Sequence, residues 1–227
     1  MKKHKRLGLL ALTLFFALPA AAQLGEERHN FAVGINGGLN MSSVSFNPRI
    51  KQSTQNTMSA GLTLRYMSEK YFKMMCGVQM EINYSQRGWK EKIEDESGNS
   101  YNRTMNYLEI PFMAHLAFGK DSQNRGMKVF FNAGPQVGLF LGDNEKINWN
   151  NASTRPEHGK AIENKFDYGI TAGAGLELST GIGHFSLEGR YYMGLSDFYK
   201  NSKKDYFERS AHSFIGIRLG YLIDITK

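Results

Sequence analysis

The chain has 227 residues, 41% of them hydrophobic and 22% charged, which excludes disorder, collagen and coiled coil and leaves room for one sizeable domain. A single cysteine, Cys76, excludes an intrachain disulfide and a cysteine-based zinc cluster. The formal charge of +7 falls to +3 without Lys2, Lys3, Lys5 and Arg6, when 24 cations face 21 acidic residues, and no cluster of cations interleaved with aromatics suggests a nucleic-acid partner.

Residues 1–22 read as a secretory signal: a basic start, an apolar stretch from Leu7 to Leu18, then Pro19 and the small residues Ala20, Ala21 and Ala22 before Gln23. That stretch is short of the roughly 20 apolar residues a membrane helix needs. Residues 23–227 are expected to form one exported domain. With 12% aromatics and 24 glycines, its composition leans toward strands and tight turns.

Strict alternation then recurs along the chain, as a membrane strand requires when one face meets lipid and the other a lumen. The first segment sets Phe31, Val33, Ile35, Leu39 and Met41 against Ala32, Gly34, Asn36, Gly38 and Asn40. The second sets Met58 to Tyr66 against Thr57 to Arg65. In the third, Phe72 to Tyr84 oppose Lys73, Gln79, Glu81, Asn83, Ser85 and Arg87. In the fourth, Leu108 to Phe118 oppose Tyr107, Glu109, Met113 and His115. The fifth (Val129 to Leu141 against Lys128, Asn132 and Gln136) and the sixth (Phe166 to Leu178 against Asp167, Thr171 and Glu177) repeat the pattern. The seventh sets Phe185, Leu187 and Tyr191 against His184, Ser186, Glu188 and Arg190. The eighth sets Ile215 to Ile225 against Gly216, Arg218, Gly220 and Asp224.

Eight is an even number, as a closed barrel with both termini on one side requires. Long polar connections at 42–56, 89–100, 143–165 and 197–211 alternate with short ones at 67–71, 119–126 and 180–183, placing the termini on the periplasmic side. The expected fold is therefore all-β: an eight-stranded antiparallel up-and-down transmembrane β-barrel with short periplasmic turns and long extracellular loops. A soluble β-sandwich also alternates, but its strands usually run 5–6 residues, whereas membrane strands need about 9–11. Pro111 and Pro135 fall within strands and cannot donate ladder hydrogen bonds, so local bulges are expected there.

Tyr84-Ser85-Gln86-Arg87-Gly88, Asn106-Tyr107-Leu108-Glu109-Ile110-Pro111 and Ala133-Gly134-Pro135 resemble the PorT-like outer-membrane β-barrel family of Bacteroidota. The resemblance implies an eight-stranded outer-membrane barrel, and its namesake branch is associated with protein secretion. The terminal pattern Arg218-x-Gly220-x-x-Ile223-x-Ile225 is similar to the signal read by the barrel-assembly machinery, although Lys227 stands where an aromatic is usual.

Such a barrel is just wide enough for side chains to fill its interior. The inward charges Arg65, Lys73, Glu81, Arg87, Glu109, Lys128, Glu177, Glu188, Arg190, Arg218 and Asp224 are expected to pair as a salt-bridge plug, the alternative being a narrow channel or ion path. His184, Ser186 and Glu188 share a face, and the His-x-Ser pair resembles that of outer-membrane lipid A deacylases. Their periplasmic, inward placement argues against catalysis, and no enzyme, cofactor or metal is expected. Asp143 with Glu145, and Glu157 with His158, lack metal-ligand spacing.

Recognition is expected in the loops: Trp149, Arg155, Tyr199, Lys203, Lys204, Tyr206 and Arg209 mix rings and cations suited to lipopolysaccharide phosphates or a protein of the envelope or a secretion system. The reading is a non-enzymatic outer-membrane barrel that binds or supports another envelope component.

Overall fold

A computed structural model describes residues 26–94, 98–119, 125–148, 155–202 and 205–226; the expected signal segment lies outside them. Eight long strands close into a ring: β1 (Glu26–Asn47), β3 (Gln55–Tyr71), β4 (Met74–Glu91), β5 (Ser100–Gly119), β6 (Gly126–Asn148), β7 (Phe166–Thr180), β8 (Gly183–Gly194) and β9 (Arg209–Asp224). The two-residue β2 (Gln52–Ser53) adds to the far end of β4, pairing with Glu91 and Lys90. Each long strand pairs antiparallel with the next long strand along the chain, and the ring closes where β1 pairs antiparallel with β9 from Ala32↔Asp224 to Asn47↔Arg209.

Alternation sorts the residues as a membrane strand demands. Ile35, Leu62 and Ile217 are 62%, 58% and 59% exposed on the outside, while Glu81 and Arg190 are each 2% exposed within. A soluble sandwich would invert this, so the exposed apolar band is a lipid-facing surface. Inward glycines make room for the crowd: a Cβ at Gly61 would run into the backbone of Ile82 and the side chain of Asn83, and one at Gly173 into Glu188.

Most strands are longer than the expected segments. β5 begins at Ser100 and β6 runs to Asn148, so the expected loops 89–100 and 143–165 are partly strand. These ends stand above the bilayer, where neither face meets lipid and the apolar alternation that marks a strand is not needed. β3 likewise runs to Tyr71, and the turn is Phe72-Lys73, with Phe72 at φ 53° and 97% exposed. Lys73 is thus an exposed turn residue and not part of the lumen, because a hairpin end breaks the parity that the alternation extrapolates.

The bulges expected at the prolines do not occur. β4 and β5 keep one register from Met80↔Phe112 to Asn83↔Glu109 across Pro111, and β6 passes Pro135↔Ile170 without a shift. Register shifts fall elsewhere, between Glu27 and Asn30, Met67 and Glu69, and Asn106 and Tyr107. An interrupted ladder pair suffices to accommodate a missing donor, so no extra residue is required.

Candidate functional site

The lumen is organised in tiers. At the periplasmic mouth Arg65 pairs with Glu177, and Lys128 approaches the same carboxylate at 3.8 Å. The His184 ring is held between Ser179 Oγ, 2.8 Å from Nδ1, and Asp224 Oδ2, 2.9 Å from Nε2. These groups line a cavity of about 450 Å³ together with Met67, Met75 and Ala117.

The middle tier closes the barrel. Arg190 forms a two-pronged pair with Glu81 at 2.7 Å on both prongs and bonds Glu188 at 2.7 and 3.0 Å. Glu81 also accepts from Gln79 at 2.7 Å and Asn83 at 2.8 Å, with Arg218 at 3.8 Å. A residual void of about 10 Å³ remains here, on the order of one water's place. Above it, Arg87 joins Glu109 at 2.6 Å to Asp167 at 2.5 Å, its guanidinium lying 4.4 Å from the Tyr192 ring centre and 4.8 Å from that of Tyr107.

Of the eleven lumen charges named from the sequence, Arg65, Glu81, Arg87, Glu109, Lys128, Glu177, Glu188, Arg190, Arg218 and Asp224 face these tiers, and Lys73 does not. Asp167, placed on the inner face of the sixth segment, was not counted among those charges, and Arg103 was not singled out. Arg103 shares the inward parity of Glu109, so the same rule carried a few residues further finds it.

At the extracellular end the connections fold back as a cap. Phe46, Trp89, Tyr101, Phe198, Tyr199 and Phe207 form a buried aromatic cluster with Val44, Met105, Tyr107 and Ile162. Arg103, 2% exposed, ties it together. It bonds Asp143 at 2.6 Å, Glu145 at 2.7 Å, the Lys160 carbonyl at 2.6 Å and the Tyr199 hydroxyl at 2.8 Å.

Tyr199, expected as a recognition residue, is fully buried against Phe207 and Lys160. Its ring serves the cap because an aromatic loop folded over an open barrel end finds apolar cover there. Arg155, Tyr206 and Arg209 are exposed, whereas Trp149, Lys203 and Lys204 lie outside the described residues. A three-residue cluster, Glu91, Glu157 and His158, sits under the cap's rim with its donor atoms within 4.8 Å of one another. Burial pushes both carboxyls above their ordinary range and holds the His158 imidazole below its own.

Among solved structures, OprG of Pseudomonas aeruginosa is 12% identical over 88% of this chain and 98% of that chain, with a TM-score of 0.50. Ail, the attachment invasion locus protein of Yersinia pestis, is 14% identical over 86% and 100%, at 0.41, and Neisserial surface protein A is 11% identical over 84% and 96%, also at 0.41. At these identities the likeness is one of fold. Comparison with curated proteins returned no match. Residues 21–200 match the family model described as an outer membrane protein beta-barrel domain. The lipid-facing band, the closed ring and this match together place the chain in the outer membrane as a member of the outer membrane protein beta-barrel domain family.

Proposed function

We propose that this barrel is non-enzymatic and that its extracellular face binds or supports another component of the cell envelope. The observation that carries the reading is the closure of the lumen. Among the described residues the Arg190 pairs narrow the middle of the lumen to a void of about 10 Å³, too small for a solute, and the aromatic cluster covers the barrel above it. What remains available to a partner is the outer rim, where Arg155, Tyr206 and Arg209 are exposed and suit lipopolysaccharide phosphates or an acidic protein surface. The resemblance to PorT-like barrels supports a secretion-associated protein as that partner.

The test is crosslinking in intact outer membranes followed by affinity capture. Wild-type protein is expected to recover a defined partner or lipopolysaccharide, and Arg155→Ala with Arg209→Ala to lose most of it. Capture of nothing, together with steady single-channel conductance in planar bilayers, would replace this reading with a channel.

One arrangement favours a second reading. His184, Ser186 and Glu188, which share a face in the sequence, do not come together as a catalytic trio: Glu188 is held by Arg190 and the His184 ring lies between Ser179 and Asp224. Ser179, His184 and Asp224 themselves form a hydrogen-bonded line on the periplasmic cavity, an order that suits a serine nucleophile and its base. The purified barrel is expected to hydrolyse neither lipid A nor a chromogenic ester. Hydrolysis abolished by Ser179→Ala would make the cavity a hydrolase site.

A further inference from the structure

We infer that Glu91, Glu157 and His158 form a site for a divalent transition-metal cation of the zinc class, which fastens the loop at 155–164 to the rim of the barrel. The argument begins with how three distant donors meet. Glu91 ends β4 on the inward side already occupied by Arg87 and Trp89, above the lipid-facing band. A turn at 156–159, closed by the His158 amide donating to the Arg155 carbonyl at 3.1 Å and ending at Gly159 with φ 69°, presents Glu157 and His158 together.

The donors are held in place from behind. The His158 ring stacks on Tyr101 with centroids 4.1 Å apart and planes 12° from parallel, and its Nε2 lies 2.9 Å from Glu91 Oε1. The Tyr101 hydroxyl reaches the Glu157 carbonyl at 3.4 Å and Glu145 at 2.9 Å, and the Gly159 amide donates to Glu145 at 3.0 Å. A ligand ring fixed by stacking, on a turn tied down by its neighbours, resembles the supported surroundings of a metal site more than a mobile surface loop.

Charge supplies a second, independent observation. The Glu91 side chain is 0% exposed and Glu157 is 3% exposed, so two carboxylates are buried against each other. The charged groups facing them are Arg155, 3.2 Å from Glu91 and 45% exposed, and Glu145, which adds a further negative charge on the His158 side. Buried carboxylates in contact require a proton or a cation.

Two carboxylate oxygens and one imidazole nitrogen match the mixed donor set of zinc. Calcium prefers six to eight oxygens and magnesium a nearly complete oxygen octahedron. Tetrahedral bonds of about 2.0–2.2 Å set ligating atoms roughly 3.3–3.6 Å apart; the donors lie within 4.8 Å of one another, so the widest pair closes by about an ångström, within reach of a side-chain rotation. The sequence alone gave no such signal, because Glu157 and His158 are adjacent and the third donor comes from a separate strand.

The inference concerns the barrel alone and can be tested without any partner. The full-length protein, extracted in detergent and stripped with a chelator, is titrated with zinc chloride by calorimetry. Binding of one equivalent is expected, weakened about tenfold or more in Glu157→Gln and in His158→Gln, and not competed by millimolar calcium or magnesium. A mobility shift between unboiled and boiled samples establishes that each variant is folded. No zinc binding by the wild-type barrel, binding undiminished in both variants, or equal retention of calcium would each overturn the site. Failure to capture an envelope partner would leave the zinc result untouched, so the two readings fail separately.

Discussion

Replacing Arg190 with methionine is expected to lower the free energy of unfolding by about 3–5 kcal/mol, the usual cost of removing one member of a buried ion pair. The size follows from what is left behind. Glu81 and Glu188 lose their shared two-pronged partner at 2.7 Å, and Arg218, at 3.8 Å, cannot replace it. Urea titration of the barrel in lipid vesicles, followed by tryptophan fluorescence, measures the loss. A triple variant, Glu81→Gln, Glu188→Gln and Arg190→Met, removes the stranded charges as well and should recover most of it. A single-variant loss under about 1 kcal/mol would mean that water reaches the middle tier and screens it, and the case against a channel would fall with it.

The second large effect concerns the outside. Leu62 lies near the centre of β3, 58% exposed and flanked across the sheet by Ile35 and Ile82. Leu62→Arg should cost about 2–4 kcal/mol in a bilayer, the range for a cation near the membrane midplane. The comparison that decides is with Asn148→Arg, on the part of β6 that stands above the bilayer, where the same change should cost little. If both variants unfold at the wild-type urea concentration, the apolar face is not in lipid, and inside and outside have been exchanged.

How much of this was legible in the sequence depends on what the lipid demands of each residue. From Phe31 to Met41, Met58 to Tyr66 or Leu108 to Phe118 the lipid-facing residues must be apolar, so face and strand could be read together. Above the bilayer that demand ends. At Ser100 to Met105 the outward residues Ser100, Asn102 and Thr104 are polar while Tyr101 and Met105 are buried inside, so the apolar-out alternation is lost, and these ends read as loop although they pair from Ser100↔Asn148 to Met105↔Asp143. Arg103 and Glu91 escaped notice for that reason, and Tyr199 was misplaced because nothing local distinguishes a ring that covers a barrel end from one that meets a partner. Lys73 failed differently: alternation carries no mark of where a hairpin turns. The pairing of Glu91 with His158 depends on how a long loop folds back, which no periodicity encodes.

The seam between β1 and β9 has a consequence for how the molecule comes into being. Its ladder joins Ala32 to Asp224 and Asn47 to Arg209, and the inner ion pairs Glu81–Arg190 and Arg65–Glu177 also link the two halves of the chain. Contacts so distant in sequence close slowly, after local hairpins have formed. Until residues 209–224 have emerged, β1 carries an open edge, the inner charges lack half their partners and the apolar band has no ring to curve around. Assembly therefore cannot proceed strand by strand as the polypeptide is made. The chain must be kept from sticking to others until its last strand is available, and the order in which the strands were synthesised leaves no trace in the finished cylinder.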